Sequence, residues 1–324
     1  MWKSEKHIPR KPCLRKWIDR YKSWRLYKYY TSGATKARNV DQMVIYMADG
    51  RMKHGGLSDR ICGMVSTYNY CKKHGLGFKI HFVCPYSLSD FLECSSIDWR
   101  ISDDEISYNS HDSEPIYLSV YSGNYNIVEM YFNNRIGRSR KKQVHVYTNA
   151  RYFHKHEFSG LFNDLFKPSL ILQNALDHTK ELIPKPYISL TFRFQQLLGD
   201  FKEDGFKTLK TEEEKHALMD KCLNCIRNLY NQAKSKVLVT SDSVTFLDNA
   251  GQLDYVYTIP GEMRHEDYGK DLAVDKSIDL KSFVDFFMIA EAEKIYLYAN
   301  APLWPSGFPI TASFIHNKEL IMIR

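Results

Sequence analysis

The residues best placed to do chemistry fall in four short loops, each following an apolar run of strand character. Arg193 ends the run 187–192 (YISLTF), and the chain then reaches Gly199-Asp200. His54-Gly55-Gly56-Leu57-Ser58-Asp59-Arg60 follows the run 42–47 (QMVIYM). Ser241-Asp242-Ser243 follows 236–240 (KVLVT), and Ser306-Gly307-Phe308-Pro309 comes after 294–298 (KIYLY). Ligands of open α/β sheets bind outside the carboxyl ends of the strands. Arg193 is therefore a candidate anion ligand, although a structural ion pair also puts arginine at a strand end.

Each of the other loops has a functional and a structural reading. Gly55 and Gly56 allow backbone to approach a ligand, and Ser58 and Asp59 open a helix; paired glycines before a helix are also ordinary turn chemistry. Ser306 suits an N-cap and Pro309 the first turn, so the N–H groups of Gly307 and Phe308 are candidate donors to a phosphate. With Arg193 as fixed charge they would form a diphosphate clamp; ordinary capping is the alternative. Ser241 and Asp242 are candidates for hydrogen bonds to a base or ribose, or they merely start the next turn. His265, after IPGEMR, could contact phosphate or be structural. A hydroxyl nucleophile needs a base in reach, and Asp59, His54 and Asp200 are the candidates. The loops match neither GxxxxGK[ST] nor GxGxxG.

The elements that must position these loops alternate between strand and helix. A strand at 42–47 leads through the glycine loop into a helix to about Lys73, then to a strand at 79–83 (KIHFV). Tyr-rich strands are predicted at 116–120 and 143–147, and one helix over 158–182. Past the break Ile183-Pro184-Lys185-Pro186 the pattern repeats: a strand at 188–192, a helix over 211–234 with a Thr211/Glu214 capping box, and a strand at 236–240. A strand at 255–259, a helix over 279–292, a strand at 294–298 and a last helix complete the chain. Alternation of this kind predicts parallel sheets. The expected fold is α/β, with two Rossmann-like domains facing a cleft, 41–183 and 184–324, preceded by a basic helical arm, 1–40.

Composition limits the classes. The chain has 324 residues, 44% hydrophobic and 14% aromatic, enough for two cores. No run reaches the ~18 apolar residues of a membrane span, and the N-terminus lacks the apolar core of a secretory signal. The seven cysteines show no metal-like pairing; Cys222 and Cys225 form a CxxC inside a helical pattern, which is weak evidence for metal. They read as reduced residues of a cytoplasmic protein. Asp103-Asp104 reads as a solvated loop, so no metal site is expected.

Charge is concentrated in the arm. Residues 1–40 hold twelve Lys/Arg and two acids, a balance of +10, so with +7 overall the body carries −3. Leu14, Trp17, Ile18, Tyr21 and Trp24 share one helical face among these cations. An anionic membrane surface, packing onto the body and nucleic acid are all open as its role; the acidic body counts against nucleic acid.

The order of motifs resembles the fucosyltransferase-like GT-B glycosyltransferases, the α1,2-, α1,6- and protein O-fucosyltransferase superfamily. HGGLSDRI resembles the family's N-terminal loop, and LTFRFQQLLGDF its HxR-containing donor motif, with Arg193 on the arginine that binds the nucleotide diphosphate. LVTSDS and the block 279–313 resemble its two following segments, so the similarity runs from about Gln42 to Ser313. Thr191 stands where the family has histidine, Asp200 lies seven residues after Arg193, and Pro305-Ser306-Gly307 replaces Ser-x-Phe.

The resemblance implies an inverting, metal-independent glycosyltransferase moving a sugar from a nucleotide-diphospho-sugar, GDP-fucose by preference. The acceptor would be a hydroxyl of a glycan or lipid-linked oligosaccharide. With the basic arm it implies a cytoplasmic enzyme, peripheral on the inner face of a membrane. The other expectation is a non-catalytic GT-B-like protein that binds nucleotide or glycan in a polysaccharide-synthesis complex.

Overall fold

The computed structural model describes residues 12–32, 42–119, 124–200, 207–261 and 276–324. Helix α1 (Pro12–Leu26) precedes a first set of elements: β1 (Met43–Ala48), α2 (Leu57–His74), β2 (Gly77–Phe82), β3 (Leu92–Cys94), β4 (Ser113–Leu118), α3 (Tyr125–Arg135), β5 (Gln143–Thr148), α4 (Lys155–Leu165), β6 (Phe166–Pro168) and α5 (Leu170–Leu182). A second set follows: β7 (Tyr187–Phe192), α6 (Glu212–Ala233), β8 (Lys236–Ser241), α7 (Val244–Ala250), β9 (Val256–Tyr257), α8 (Lys276–Glu291), β10 (Ile295–Tyr298), α9 (Gly307–Ile315) and β11 (Leu320–Ile323).

Two parallel sheets result, ordered β2-β1-β5-β4 and β11-β10-β7-β8-β9. All six residues of β5 and of β7 are buried, as expected for strands covered on both faces. The expected α/β architecture with two parallel sheets is therefore present. Helix α6 has the predicted Thr211/Glu214 capping box. The helix expected over 158–182 is two helices. Phe166-Lys167-Pro168 is extended and pairs with β3, because the residue before a proline is pushed to extended backbone. Ser169 then restarts the helix by accepting from Leu172 N–H.

Helices α8 and α9 join the two sheets. Phe283, Phe286, Met288 and Ile289 of α8 and Ala312 and Ile315 of α9 share one apolar cluster with Leu57, Ile61, Met64 and Val65 of α2. A second cluster fills the other face of the second sheet beneath α6 and α7. Helix α2 lies so close to β5 that a Cβ on Gly63 would sit 2.1 Å from the Thr148 carbonyl oxygen.

Helix α1 does not bury its aromatic face. Trp17, Tyr21 and Trp24 are exposed, whereas Asp19, Ser23 and Leu26 are buried. The reason is the open edge of β4, the last strand of the first sheet. Tyr117 N–H donates to Ser23 Oγ at 2.9 Å and Ser119 N–H to Asp19 Oδ2 at 3.1 Å. The polar stripe of α1 thus completes hydrogen bonds that an edge strand leaves unmade. After α1, Tyr30 O–H donates to His145 Nδ1 at 2.5 Å.

His145 is fully buried on β5, and burial pushes its pKa down to about 3. Its Nε2–H donates to Gln143 Oε1 at 3.2 Å while Nδ1 accepts from Tyr30, and the second bond needs the neutral ring. A histidine depressed from about 6.5 on folding contributes stability above pH 6.5 that is lost as pH falls towards 3. The urea midpoint of the wild type should therefore drop between pH 6.5 and 5, with a shallower drop in His145→Gln; equal slopes would remove His145 as the cause.

Candidate active site

In the first sheet the strand order reverses between β1 and β5, because β2 lies on one side of β1 and β5 on the other. In the second sheet the same reversal lies between β7 and β10. Such reversals open a crevice at the carboxyl ends of the strands. The loops after β1, β7 and β10 are three of the four singled out above. The loop after β5 supplies a residue that the sequence reading passed over, Arg151.

The two crevices face one another. The loop after β10 touches both, since Trp304 N–H donates to Arg193 O at 3.3 Å. Three residues on, a Cβ built on Gly307 would lie 3.7 Å from both Arg151 Nη2 and Ser58 Oγ. Ser58, Arg151 and the start of α9 thus meet at one side of a candidate cleft, with Asp59 next to Ser58 and the backbone of Arg193 at the other end of the same loop. Arg151 also bonds the Cys62 thiol beneath it. Burial pushes that thiol's pKa up, and the guanidinium opposes the shift. Cys62 Sγ lies 3.5 Å from Thr311 Oγ1 of α9, a further contact across the cleft floor.

The loop after β1 is built around Asp59. Gly55 has φ +88°, and a Cβ there would meet Asp59 Oδ2 at 2.4 Å, so glycine is required both by conformation and by space. Gly56 is the N-cap of α2 and has nothing within 4 Å of its Cβ position, which leaves an open backbone surface beside Asp59. Arg60 turns inward, donating from Nε to Gly55 O and from Nη1 to Cys84 O at 3.1 and 3.0 Å. His54 is buried between Tyr46 and Tyr147, with ring centroids 5.7 and 5.8 Å away. Its position among these rings, rather than at the cleft, does not suit a base for an incoming hydroxyl. Its carbonyl accepts from Asn149 Nδ2 at 3.3 Å, tying the loops on either side of the first reversal.

Asp242 holds the loop after β7. Its Oδ1 accepts from Phe194 N–H at 2.7 Å and its Oδ2 from Gln195 N–H at 2.8 Å, with Arg193 Nε 3.3 Å from Oδ2. Both carboxylate oxygens are thereby engaged by this loop, which argues against the expected contact to a base or ribose. Burial raises the Asp242 pKa, and Arg193 and the two N–H groups oppose it. Arg193 keeps a partly exposed side chain (24%) over this buried carboxylate (3%). The paired and the ligand-facing readings of Arg193 are thus compatible.

Other candidates have structural partners. Ser241 Oγ accepts from Ser243 N–H at 3.1 Å. Asp200 Oδ2 accepts from Ser243 Oγ at 2.7 Å and from Thr245 N–H at 2.9 Å, capping α7 rather than standing free as a base. Ser306 is the N-cap of α9 as expected, but it accepts from Phe308 N–H at 3.2 Å, so that donor serves the cap. The Phe308 ring packs edge-on against Phe286 of α8, with centroids 5.3 Å apart. His265 lies outside the described residues. Among the described residues no group of three His, Cys, Asp or Glu is clustered as metal ligands are.

Two sheets with facing reversals define a GT-B-like protein. No protein-family model and no curated protein sequence matches the chain. Solved structures with this fold do. A plant fucosyltransferase, a mutant of FUT1 from Arabidopsis thaliana in complex with GDP, has a TM-score of 0.55 at 13% identity over 91% of this chain and 72% of that one. The fucosyltransferase NodZ from Bradyrhizobium has a TM-score of 0.52 at 15% identity over 85% of this chain and 92% of that one. A NodZ α-1,6-fucosyltransferase soaked with GDP-fucose gives 0.53 at 10% identity over the same shares. The fold is thus that of fucosyltransferase-like GT-B proteins.

Removing the Asp242 carboxylate strands two buried N–H groups, each costing about 1–3 kcal/mol. Asp242→Ala should lose about 3 kcal/mol in urea unfolding, against about 1 kcal/mol for the exposed cap Asp200→Ala. Equal losses would mean that Asp242 does not hold the loop.

Proposed function

We propose that the chain is a glycosyltransferase that takes a sugar from a nucleotide-diphospho-sugar, GDP-fucose by preference, to a glycan hydroxyl with inversion. The observation that carries this reading is the segment 304–307, which touches Arg193 on one side and Arg151 and Ser58 on the other. A diphosphate lying along it would meet two guanidinium groups and the N-terminus of α9. Fixed charges of this kind stabilise the negative charge that builds up as the glycosidic bond to the diphosphate breaks. The solved structures with GDP or GDP-fucose support the choice of donor.

For the base, the same reading favours one of the three candidates. Of the three candidates, His54 is buried among aromatic rings and Asp200 caps α7. Asp59, half-buried at the start of α2, is the candidate this reading keeps for taking the proton from the acceptor hydroxyl as it attacks the anomeric carbon.

In this reading GDP should raise the melting temperature more than UDP or CDP does. Arg193→Lys and Arg151→Ala should lower kcat by about 10²–10³ in protein that still unfolds cooperatively, and turnover should persist in EDTA. Stabilisation by UDP alone would overturn the donor assignment. The second reading, a non-catalytic nucleotide-binding protein, draws on one observation, that Arg193 already has a buried carboxylate partner. It predicts GDP stabilisation with no glycosyl transfer or donor hydrolysis.

The outer face of α1 supports peripheral attachment to an anionic membrane. Trp17, Tyr21 and Trp24 are exposed beside Lys16 and Arg20, and such rings suit headgroup depth. Among the described residues no helix is long and apolar enough to cross a membrane. Trp17→Ser/Trp24→Ser should reduce co-sedimentation with phosphatidylglycerol vesicles several-fold, because each ring adds apolar area at the interface. Equal partition with wild type would refute the attachment. Lipid-linked oligosaccharide as acceptor, and the inner face of the membrane as location, fit this attachment.

A further inference from the structure

A cavity of about 370 Å³ lies between α1 and the loop after β1. Its wall is made by Lys22, Arg25, Lys28, Tyr29, Arg51 and Lys53, with Leu26 and Met52 at its apolar side. Five cations thus surround a space at the lower end of the ~300–1,000 Å³ range of small-molecule sites, and none of the lining residues is acidic. Like charges gathered in a concavity repel one another and favour an anion between them.

Three of the cations are held in place. Arg51 lies 4.1 Å from the Tyr108 ring centroid and 4.9 Å from that of Tyr29, and its Nη1 is 3.3 Å from Asp49 Oδ2. Lys22 Nζ sits 4.2 Å from the Tyr117 ring centroid and donates to its hydroxyl at 2.9 Å, and Lys28 Nζ is 4.7 Å from that of Tyr29. A planar guanidinium fixed between rings is suited to phosphate, which it meets with paired N–H donors.

The cavity and the cleft occupy the two ends of one loop. Lys53 is two residues from Gly55, a span of at most ~7 Å, and Gly55 packs on Asp59. We propose that this cavity binds a phosphate or diphosphate group of the acceptor, so that the sugar attached to it reaches Asp59. The acceptor role rests on the reading of the cleft as the transfer site; phosphate binding itself does not. A concave cluster favours a discrete phosphate over the flat surface of a bilayer, which the outer face of α1 already serves.

The test is calorimetric titration of inorganic diphosphate into the full chain with the cleft saturated by GDP. One equivalent should bind. The substitution Arg25→Gln/Lys28→Gln/Lys53→Gln should weaken binding at least tenfold, and Lys28→Gln or Lys53→Gln alone about threefold, leaving GDP stabilisation intact. Farnesyl diphosphate in phosphatidylcholine vesicles and soluble glucose 1-phosphate then separate a lipid from a soluble source. Tighter binding of the first assigns a lipid carrier, and tighter binding of the second a free sugar phosphate. No bound diphosphate, or equal binding by wild type and variants, would overturn the proposal. So would loss confined to phosphatidylglycerol vesicles, which would assign the cations to a membrane surface. A failure of GDP to bind would instead count against the donor reading, and diphosphate binding could still be compared between wild type and variants.

Discussion

The apolar cluster between α2, α8 and α9 is the constraint on which the rest depends. Two Rossmann-like sheets joined only by a linker would turn freely and their crevices would meet only part of the time. Here Phe283, Phe286, Met288 and Ile289 bury their side chains in the core that also covers the first sheet. Full burial of a side chain of that size contributes about 1.5–3 kcal/mol, so a few of them outweigh the freedom of a hinge. Ordering the loops in advance lowers the cost of arranging groups around a ligand.

The charges at the cleft are organised by polar atoms that do not face it. Asp242 lies beneath Arg193 and draws two consecutive backbone N–H groups onto itself. Cys62 and Thr311 lie beneath Arg151. In each case a cation at the rim is oriented from below.

Much of this was legible in the sequence because strand-end loops announce themselves by a change from an apolar run to Gly, Ser, Asp or Arg. That rule located the loops after β1, β7, β8 and β10, and applied to residues 143–148 it would also have reached Arg151. What it could not supply was the partner of each side chain. Asp242 and Asp200 looked like ligand and base, but both oxygens of Asp242 and Oδ2 of Asp200 accept from N–H and O–H groups 43 to 48 residues away. Helix α3 escaped notice because aromatic and polar residues alternate there without a clean apolar stripe, and its start rests on Asn124, which accepts from Asn126 and Ile127 N–H. Strand β11 is only four residues long and gains its identity from pairing with β10. The helical period of α1 was correct, but the inward face was not the aromatic one, since hydrogen bonds to β4 decided the docking.

That docking has a consequence for the protein's solubility. With α1 in place, the amides of Tyr117 and Ser119 are occupied by Asp19 and Ser23. Without it, β4 would present an unpaired parallel edge with an apolar flank, a template for adding the strand of another molecule. The basic segment that looked like an appendage is therefore also a guard against self-association. A chain shortened at this end would be prone to assemble into aggregates through that edge before any loss of attachment to a surface could be seen.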